Sequence, residues 1–317
     1  MTTVGVDLGG TNIYAVVLDG DDQVRGRAKL RTPTTGDRTG VVDVIDAAVH
    51  ASLDDAKVDA GDLVAVGIGT PGVVMDGTVG GASNVPGFLE RFSLSELVGE
   101  KVDRPVRVTN DVTAAAVGEH RLGAGRGTDD VLSVSVGTGV GGGIVLGGVP
   151  FEGGAGGAGE FGHVIVQQGG AVCPCGRRGC VEAYAGRRAM TLAAERAVAA
   201  GRSTILFDVM DEKEKARATS GVFREAFERG DELVADLLDA AVDALAAGIA
   251  SAVNLLDVDV VVLGGGLADK LGEPFRRRID AATRPLLFLQ PPRLKVVAAE
   301  LGDEGGAIGA ALLARES

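Results

Sequence analysis

This chain of 317 residues has no tryptophan, and aromatic side chains make up only 3% of it. A core of stacked rings is therefore excluded. The 45% of residues that are hydrophobic must build the interior mainly from Val, Leu, Ile and Ala. Lysine is scarce, being confined to Lys29, Lys57, Lys101, Lys213, Lys215, Lys270 and Lys295, and the formal net charge is −13. Such a field repels phosphate backbones and anionic membrane surfaces, so neither nucleic acid nor membrane is expected as a partner. The same composition fits a salt-adapted protein or an arginine-favouring coding bias. No apolar run approaches the ~20 residues that span a bilayer. The opening Met1-Thr2-Thr3-Val4 lacks the basic-then-apolar pattern of a leader, and a cytoplasmic location is the expectation. Cysteine is limited to three residues, an odd count that leaves one thiol over in any disulfide scheme.

What is abundant is glycine, with 50 residues clustered between apolar runs, as tight turns and phosphate loops require. The length favours two domains over one core. Val4, Val6 and Leu8 alternate with Gly5 and Asp7, and Gly9-Gly10-Thr11-Asn12 turns the chain into a second alternating run, Ile13 to Leu18. This reads as strand, glycine turn and antiparallel strand, with a third strand over 24–30. Residues 131–136, Gly137-Thr138-Gly139 and 144–146 repeat that logic. Neither turn is a Walker A loop, since no Gly-Lys-Ser/Thr follows, and neither is a dinucleotide fingerprint, since a strand comes next. Further strands are expected at 64–68, 106–109, 258–263 and 294–298. Helices are expected at 41–53, 112–121, 187–200, 221–256 with a break near Gly230, and 305–314. His50 is assigned no role, and His120 is expected on a solvated helix face.

Residues 159–182 hold Cys173, Cys175 and Cys180 within eight positions, with His163 ten residues upstream of the first. Three thiolates and an imidazole are a common closed tetrahedral set for structural Zn²⁺. The rival is a disulfide, but a Cys-x-Cys bridge closes a small, strained ring.

Glu160-Phe161-Gly162-His163 followed by Cys-Pro-Cys-Gly-Arg-Arg-Gly-Cys-Val-Glu resembles the signature of the ROK family (repressors, open reading frames, sugar kinases), most closely its glucokinases. The resemblance covers the whole chain. It implies an α/β, actin-like ATPase (ribonuclease H-like) duplicated fold, with two domains flanking a cleft. The small domain would comprise 1–112 plus 302–317 and the large one 113–301, the last helix packing back on the first. It further implies that Glu160, His163 and Glu182 contact sugar hydroxyls while His163 and the three cysteines hold zinc, at a loop remote from the glycine turns. Asp7, Gly9, Gly10, Thr11 and Asn12 resemble the first phosphate loop, with Asp7 facing Mg²⁺. Gly137, Thr138 and Gly139 would be the second phosphate loop. Gly264-Gly265-Gly266 is similar to the adenosine loop, although a plain strand-to-helix turn looks the same locally. Asn84, in Asn-Val-Pro-Gly, is similar to the sugar-loop asparagine, where a turn residue is the ordinary alternative. Asn110-Asp111 before an Ala-rich helix resembles the catalytic segment. Asp111 would be the base and Asn110 a sugar contact, although Asp in that place is ordinarily an N-cap.

The reaction so implied is ATP-dependent phosphorylation of a hexose at its 6-hydroxyl, glucose first, with fructose, mannose or N-acetylmannosamine as alternatives. A homo-oligomer, dimer or tetramer, is the expected assembly. A sugar-sensing ROK repressor is disfavoured by the acidic charge and by a first strand that begins at the start of this sequence. A structural actin-like ATPase gives no reason for the cysteine loop.

Overall fold

The computed structural model describes residues 1–82, 84–289 and 294–316. In chain order the first elements are β1 (Thr2–Leu8), β2 (Asn12–Leu18), β3 (Val24–Arg31), α1 (Arg38–Ala56), β4 (Leu63–Thr70), β5 (Val73–Met75), β6 (Thr78–Gly80) and β7 (Phe92–Ser93). There follow α2 (Leu94–Val102), β8 (Val106–Asn110), α3 (Asp111–Leu122), β9 (Val131–Val136), β10 (Val140–Leu146), β11 (Val149–Pro150), α4 (Glu182–Ala185) and α5 (Arg187–Ala199). The remainder is α6 (Leu206–Glu212), α7 (Ser220–Glu228), α8 (Glu232–Leu256), β12 (Val260–Gly264), α9 (Gly266–Thr283), β13 (Lys295–Ala298) and α10 (Gly305–Arg315). Two compact units divide the chain, one of Met1–Asp129, Gly143–Gly159 and Glu300–Ser317, the other of Asp130–Gly142 and Glu160–Ala299.

In the first unit the alternating apolar runs form a sheet of order β3-β2-β1-β4-β8. β1 pairs antiparallel with β2 and parallel with β4, so Val6 lies opposite Ala15 on one side and Ile68 on the other. One face is covered by α1, which buries Val41, Ile45, Ala48, Val49 and Leu53. Asp37 starts that helix by accepting from Thr39 N–H, and Lys57 ends it in the left-handed conformation. On the sheet also lies α10, buried from Gly305 to Ala314. It approaches so closely that a Cβ at Gly67 would stand 1.8 Å from Ala310 O, and one at Gly309 would stand 1.7 Å from Ala114 O of α3. Only glycine permits this backbone-to-backbone packing, which explains the small-residue composition of α10. The expected return of the last helix to the first domain is thus observed. Packing against α10 also keeps α3 in the first unit, and residues 143–159 join it there, so the division differs from the expected one after residue 112. A small sheet β5-β6-β7 and α2, neither expected, complete this unit.

In the second sheet, of order β11-β10-β9-β12-β13, the strands β9, β12 and β13 belong to the second unit and run parallel. This order repeats that of the first sheet: hairpin strands at one edge, a central strand that ends in a glycine turn, then two parallel strands. The expected break near Gly230 separates α7 from α8, with Gly230 at φ 83° and Asp231 capping α8 through Val234 N–H at 2.8 Å. α6 and α9 were not expected. α9 is kinked at Gly272 (φ 65°) and carries Pro274, punctuation that reads as loop in sequence. Among the described residues no helix is long and apolar enough to cross a membrane.

Candidate active site

Strand β1 carries Asp7 to the first glycine turn, where Gly9 N–H donates to Asn12 O at 3.0 Å and Thr32 Oγ1 donates to Gly9 O at 2.6 Å. Asn84 lies against this turn, since a Cβ at Gly10 would be 2.9 Å from Asn84 Nδ2. The phosphate-loop and sugar-loop candidates of this unit therefore meet. Asp7 packs on α10, whose Gly306 would place a Cβ 3.0 Å from the Asp7 Cγ. Burial, then the nearby charges of Asp111 and Asp303, push its carboxyl up to about 7. Asp303 escaped sequence reading, and its only signal is the Gly-Asp-Glu-Gly-Gly run before the small-residue helix.

Asn110 closes β8 and caps α3: its Oδ1 accepts from Val112 N–H at 3.0 Å and Thr113 N–H at 3.2 Å, and its Nδ2 donates to Gly72 O. The capping alternative for Asp111 is thereby corrected. Asp111 is the first helical residue, one carboxylate oxygen accepting its neighbour's N–H at 2.9 Å. His120, further along α3, is not solvated as expected: its Nε2 donates to Thr128 O at 2.8 Å, and its Nδ1 is buried without a partner among the described residues. His50 gains a partner the sequence did not reveal, Asp46 at 3.3 Å one helical turn away.

In the second unit the turn Gly137-Thr138-Gly139 is latched to the start of α5, with Arg187 N–H donating to Gly137 O and Arg188 N–H to Thr138 O, both at 3.1 Å. Arg187 also reaches across the turn with its side chain, Nη2 to Thr138 Oγ1 at 2.8 Å and Nη1 to Ser220 Oγ at 3.0 Å. The Gly264–Gly266 loop abuts the same place: a Cβ at Gly265 would stand 2.7 Å from Ser135 Oγ and Val136 N, and one at Gly266 3.7 Å from Ser220 Oγ. Both candidate nucleotide motifs of this unit are therefore contiguous. Neither Arg187 nor Ser220 carries a local sequence signal that would have singled it out.

The cysteine loop is folded by short backbone bonds, Cys173 N–H to Arg177 O at 2.8 Å and Gly176 N–H to Cys173 O at 2.9 Å, and by bridges of Ile165 with Cys180 and Val172 with Arg178. All three thiols are free, and one ligand atom from each of His163, Cys173, Cys175 and Cys180 lies within 4.8 Å of every other. His163 Nδ1 is 3.8 Å from Cys173 Sγ, and Cys175 Sγ is 3.8 Å from Cys180 Sγ. Ligands about 2.3 Å from a central tetrahedral ion stand about 3.8 Å apart, far beyond the ~2.05 Å of a disulfide. The donor set thus fits a tetrahedral metal. With Nδ1 turned to the thiols, His163 directs Nε2 toward Glu160, 3.9 Å away. Glu182 stands 3.8 Å from Cys173 Sγ by one oxygen, and its other oxygen accepts from Val140 N–H at 2.9 Å. A Cβ at Gly139 would come within 2.3 Å of that second oxygen, so only glycine admits the contact. The expected remoteness of the cysteine loop from the glycine turns is therefore overturned: Glu182 ties it directly to the second turn.

Comparison with known proteins covers nearly the whole chain. The model of the ROK family matches residues 3–317. The glucokinase of Streptomyces coelicolor is 35% identical, the match covering 99% of this chain and 98% of the relative. The N-acetylmannosamine kinase of Escherichia coli O157:H7 is 33% identical over 99% of both. Among solved structures, a ROK family glucokinase from Streptomyces griseus in complex with glucose and AMPPNP superposes with a TM-score of 0.83 at 36% identity, covering 100% of both chains. The repeated sheet order is that of the actin-like ATPase fold these kinases share. With its two glycine turns, its His-Cys loop and a full-length match on both counts, the chain belongs to the ROK family.

Proposed function

We propose that this ROK member transfers the γ-phosphoryl group of ATP to the 6-hydroxyl of a hexose, with glucose as the preferred acceptor. The full-length likeness to glucokinases carries the reading, supported by a neighbour of 36% identity that holds glucose and AMPPNP. In this reading Asp111 accepts the proton of the attacking hydroxyl as the bond to phosphorus forms. That role is compatible with its place, because Asn110 performs the capping. Asn84, Asn110, Glu160, His163 and Glu182 orient the sugar ring through its hydroxyls. Backbone N–H groups of the turns at 9–12 and 137–139 receive phosphate oxygens, and residues 264–266 receive the adenosine. The half-buried Asp7 beside Asp111 and Asp303 suits a divalent cation, and Mg²⁺ bound there, directly or through its water shell, would neutralise developing phosphate charge. His163, Cys173, Cys175 and Cys180 hold a structural Zn²⁺, a closed set with no position for water. The metal serves to fix the loop, so that His163 keeps one ring nitrogen for the sugar.

The N-acetylmannosamine kinase relative, nearly as similar, motivates the second reading, a kinase of an acetamido sugar. One assay separates the two: ATP consumption against a panel of hexoses and acetamido sugars. The expected result is highest kcat/KM for glucose with formation of the 6-phosphate. Turnover confined to acetamido sugars would replace glucose, and no turnover with any sugar would refute the proposal.

A further inference from the structure

The second unit contains a guanidinium with no acidic partner. Arg187 is half-buried, and among the described residues its side chain donates to the neutral hydroxyls of Thr138 and Ser220 and no carboxylate pairs with it. The charged neighbour that acts on it is another cation, Arg217. Burial first, and then Arg217, hold the Arg187 guanidinium below its ordinary value. A half-buried guanidinium that feels a second positive charge is disfavoured by both desolvation and repulsion, and an arriving anion relieves both. Arg187 is also pre-aimed. Two of its five N–H donors are spent on Thr138 and Ser220, which fix the plane of the fork and leave the others for oxygen atoms in that plane. Thr138 belongs to the second glycine turn, and Ser220 begins α7 beside Gly266.

The geometry points to Arg187, held between Thr138 and Ser220, as the side chain that binds the phosphate chain of the phosphoryl donor and sets the preference for a polyphosphorylated nucleotide over its nucleoside, with Arg217 adding a second positive charge. The inference rests on the kinase reading and adds to it a side-chain contribution beyond the backbone of the glycine turns. Lys would retain the charge but not the planar fork, so Arg187→Lys should recover only part of the lost affinity.

The test is calorimetry on the full chain with ATP, ADP, adenosine and inorganic tripolyphosphate, together with steady-state kinetics. Wild type is compared with Arg187→Met, Arg187→Lys and Arg217→Ser, each checked for a native melting transition. Arg187→Met should weaken ATP, ADP and tripolyphosphate roughly 10- to 100-fold, the scale of a lost charged hydrogen bond, while adenosine stays within about 3-fold. KM for ATP should rise with little change in kcat or in KM for the sugar. Arg217→Ser should shift the same ligands about 3- to 10-fold, and this exposed position carries the test should Arg187→Met not fold. Unchanged affinity for ATP and tripolyphosphate overturns the inference, as does an equal loss for adenosine, which would mark Arg187 as a brace for the turn. A wild type that turns over ATP while every variant matches it refutes the arginine pair alone. A wild type that binds no ATP refutes the kinase reading as well.

Discussion

Glu119, on α3, is buried to 3% exposure, yet it is a carboxylate that no cation pairs with among the described residues. Its oxygens accept instead from three backbone N–H groups: Ala124 at 2.9 Å, Glu300 at 3.0 Å and Leu301 at 2.8 Å. Glu300 and Leu301 lead into a 3₁₀ turn (Gly302–Glu304) and then α10, neither of which has a side-chain cap of its own. Glu119 thus does from a neighbouring helix what a local Ser or Asp ordinarily does. Glu119→Ala would leave three N–H donors without an acceptor, at roughly 1–3 kcal/mol each where water cannot reach. Water entering the vacated space offsets part of this, so the expected loss is about 3–5 kcal/mol, a large share of the ~5–15 kcal/mol that holds a domain together. Glu119→Gln keeps one oxygen but turns an NH₂ toward an N–H, and about 1–3 kcal/mol is expected. Urea unfolding followed by far-UV circular dichroism measures the totals, and hydrogen exchange at Glu300 and Leu301 localises them. An alanine variant within about 1 kcal/mol of wild type, with those two amides still protected, would refute the reasoning.

Other consequences are equally direct. Asp111→Asn should lower kcat by about 10²- to 10⁴-fold with sugar affinity nearly unchanged, because Asn110 still caps α3; near wild-type turnover by the variant would place the base elsewhere. Cys175→Ala should reduce zinc by elemental analysis and weaken sugar binding. Because Glu182 bonds Val140 N–H, it should also weaken ATP binding in calorimetry, and unchanged ATP affinity would show that Glu182 holds the turn without help from the metal loop. Asp7 has its pKa raised from an ordinary 3.8 to about 7, so its contribution to folding is complete below about pH 4 and is lost as pH rises through 7. Without added magnesium, Asp7→Asn should therefore melt with wild type near pH 4 and above it at pH 8, whereas parallel pH profiles would contradict the burial assigned to this carboxyl.

The sequence by itself determined the two strand-turn-strand hairpins, the helices with regular periodicity, the return of the small-residue helix and the spacing of the four metal-ligand candidates. Each is a local pattern: alternation of period 2, a stripe of period 3.6, a glycine where a turn must pass, or ligands within one short loop. α2, α6 and α9 escaped because they are short, or are interrupted by Gly272 and Pro274, and so carry too little periodicity to stand out. Only the tertiary structure decided that Asn110 rather than Asp111 caps α3, and that Glu182 reaches both a cysteine and the second glycine turn. It likewise revealed Asp303 beside Asp7, Arg187 between Thr138 and Ser220, and Glu119 holding amides about 180 residues away along the chain. A side chain's hydrogen-bond partner, and the burial that shifts its charge, depend on which backbone the fold brings within about 3 Å, and no local periodicity records that.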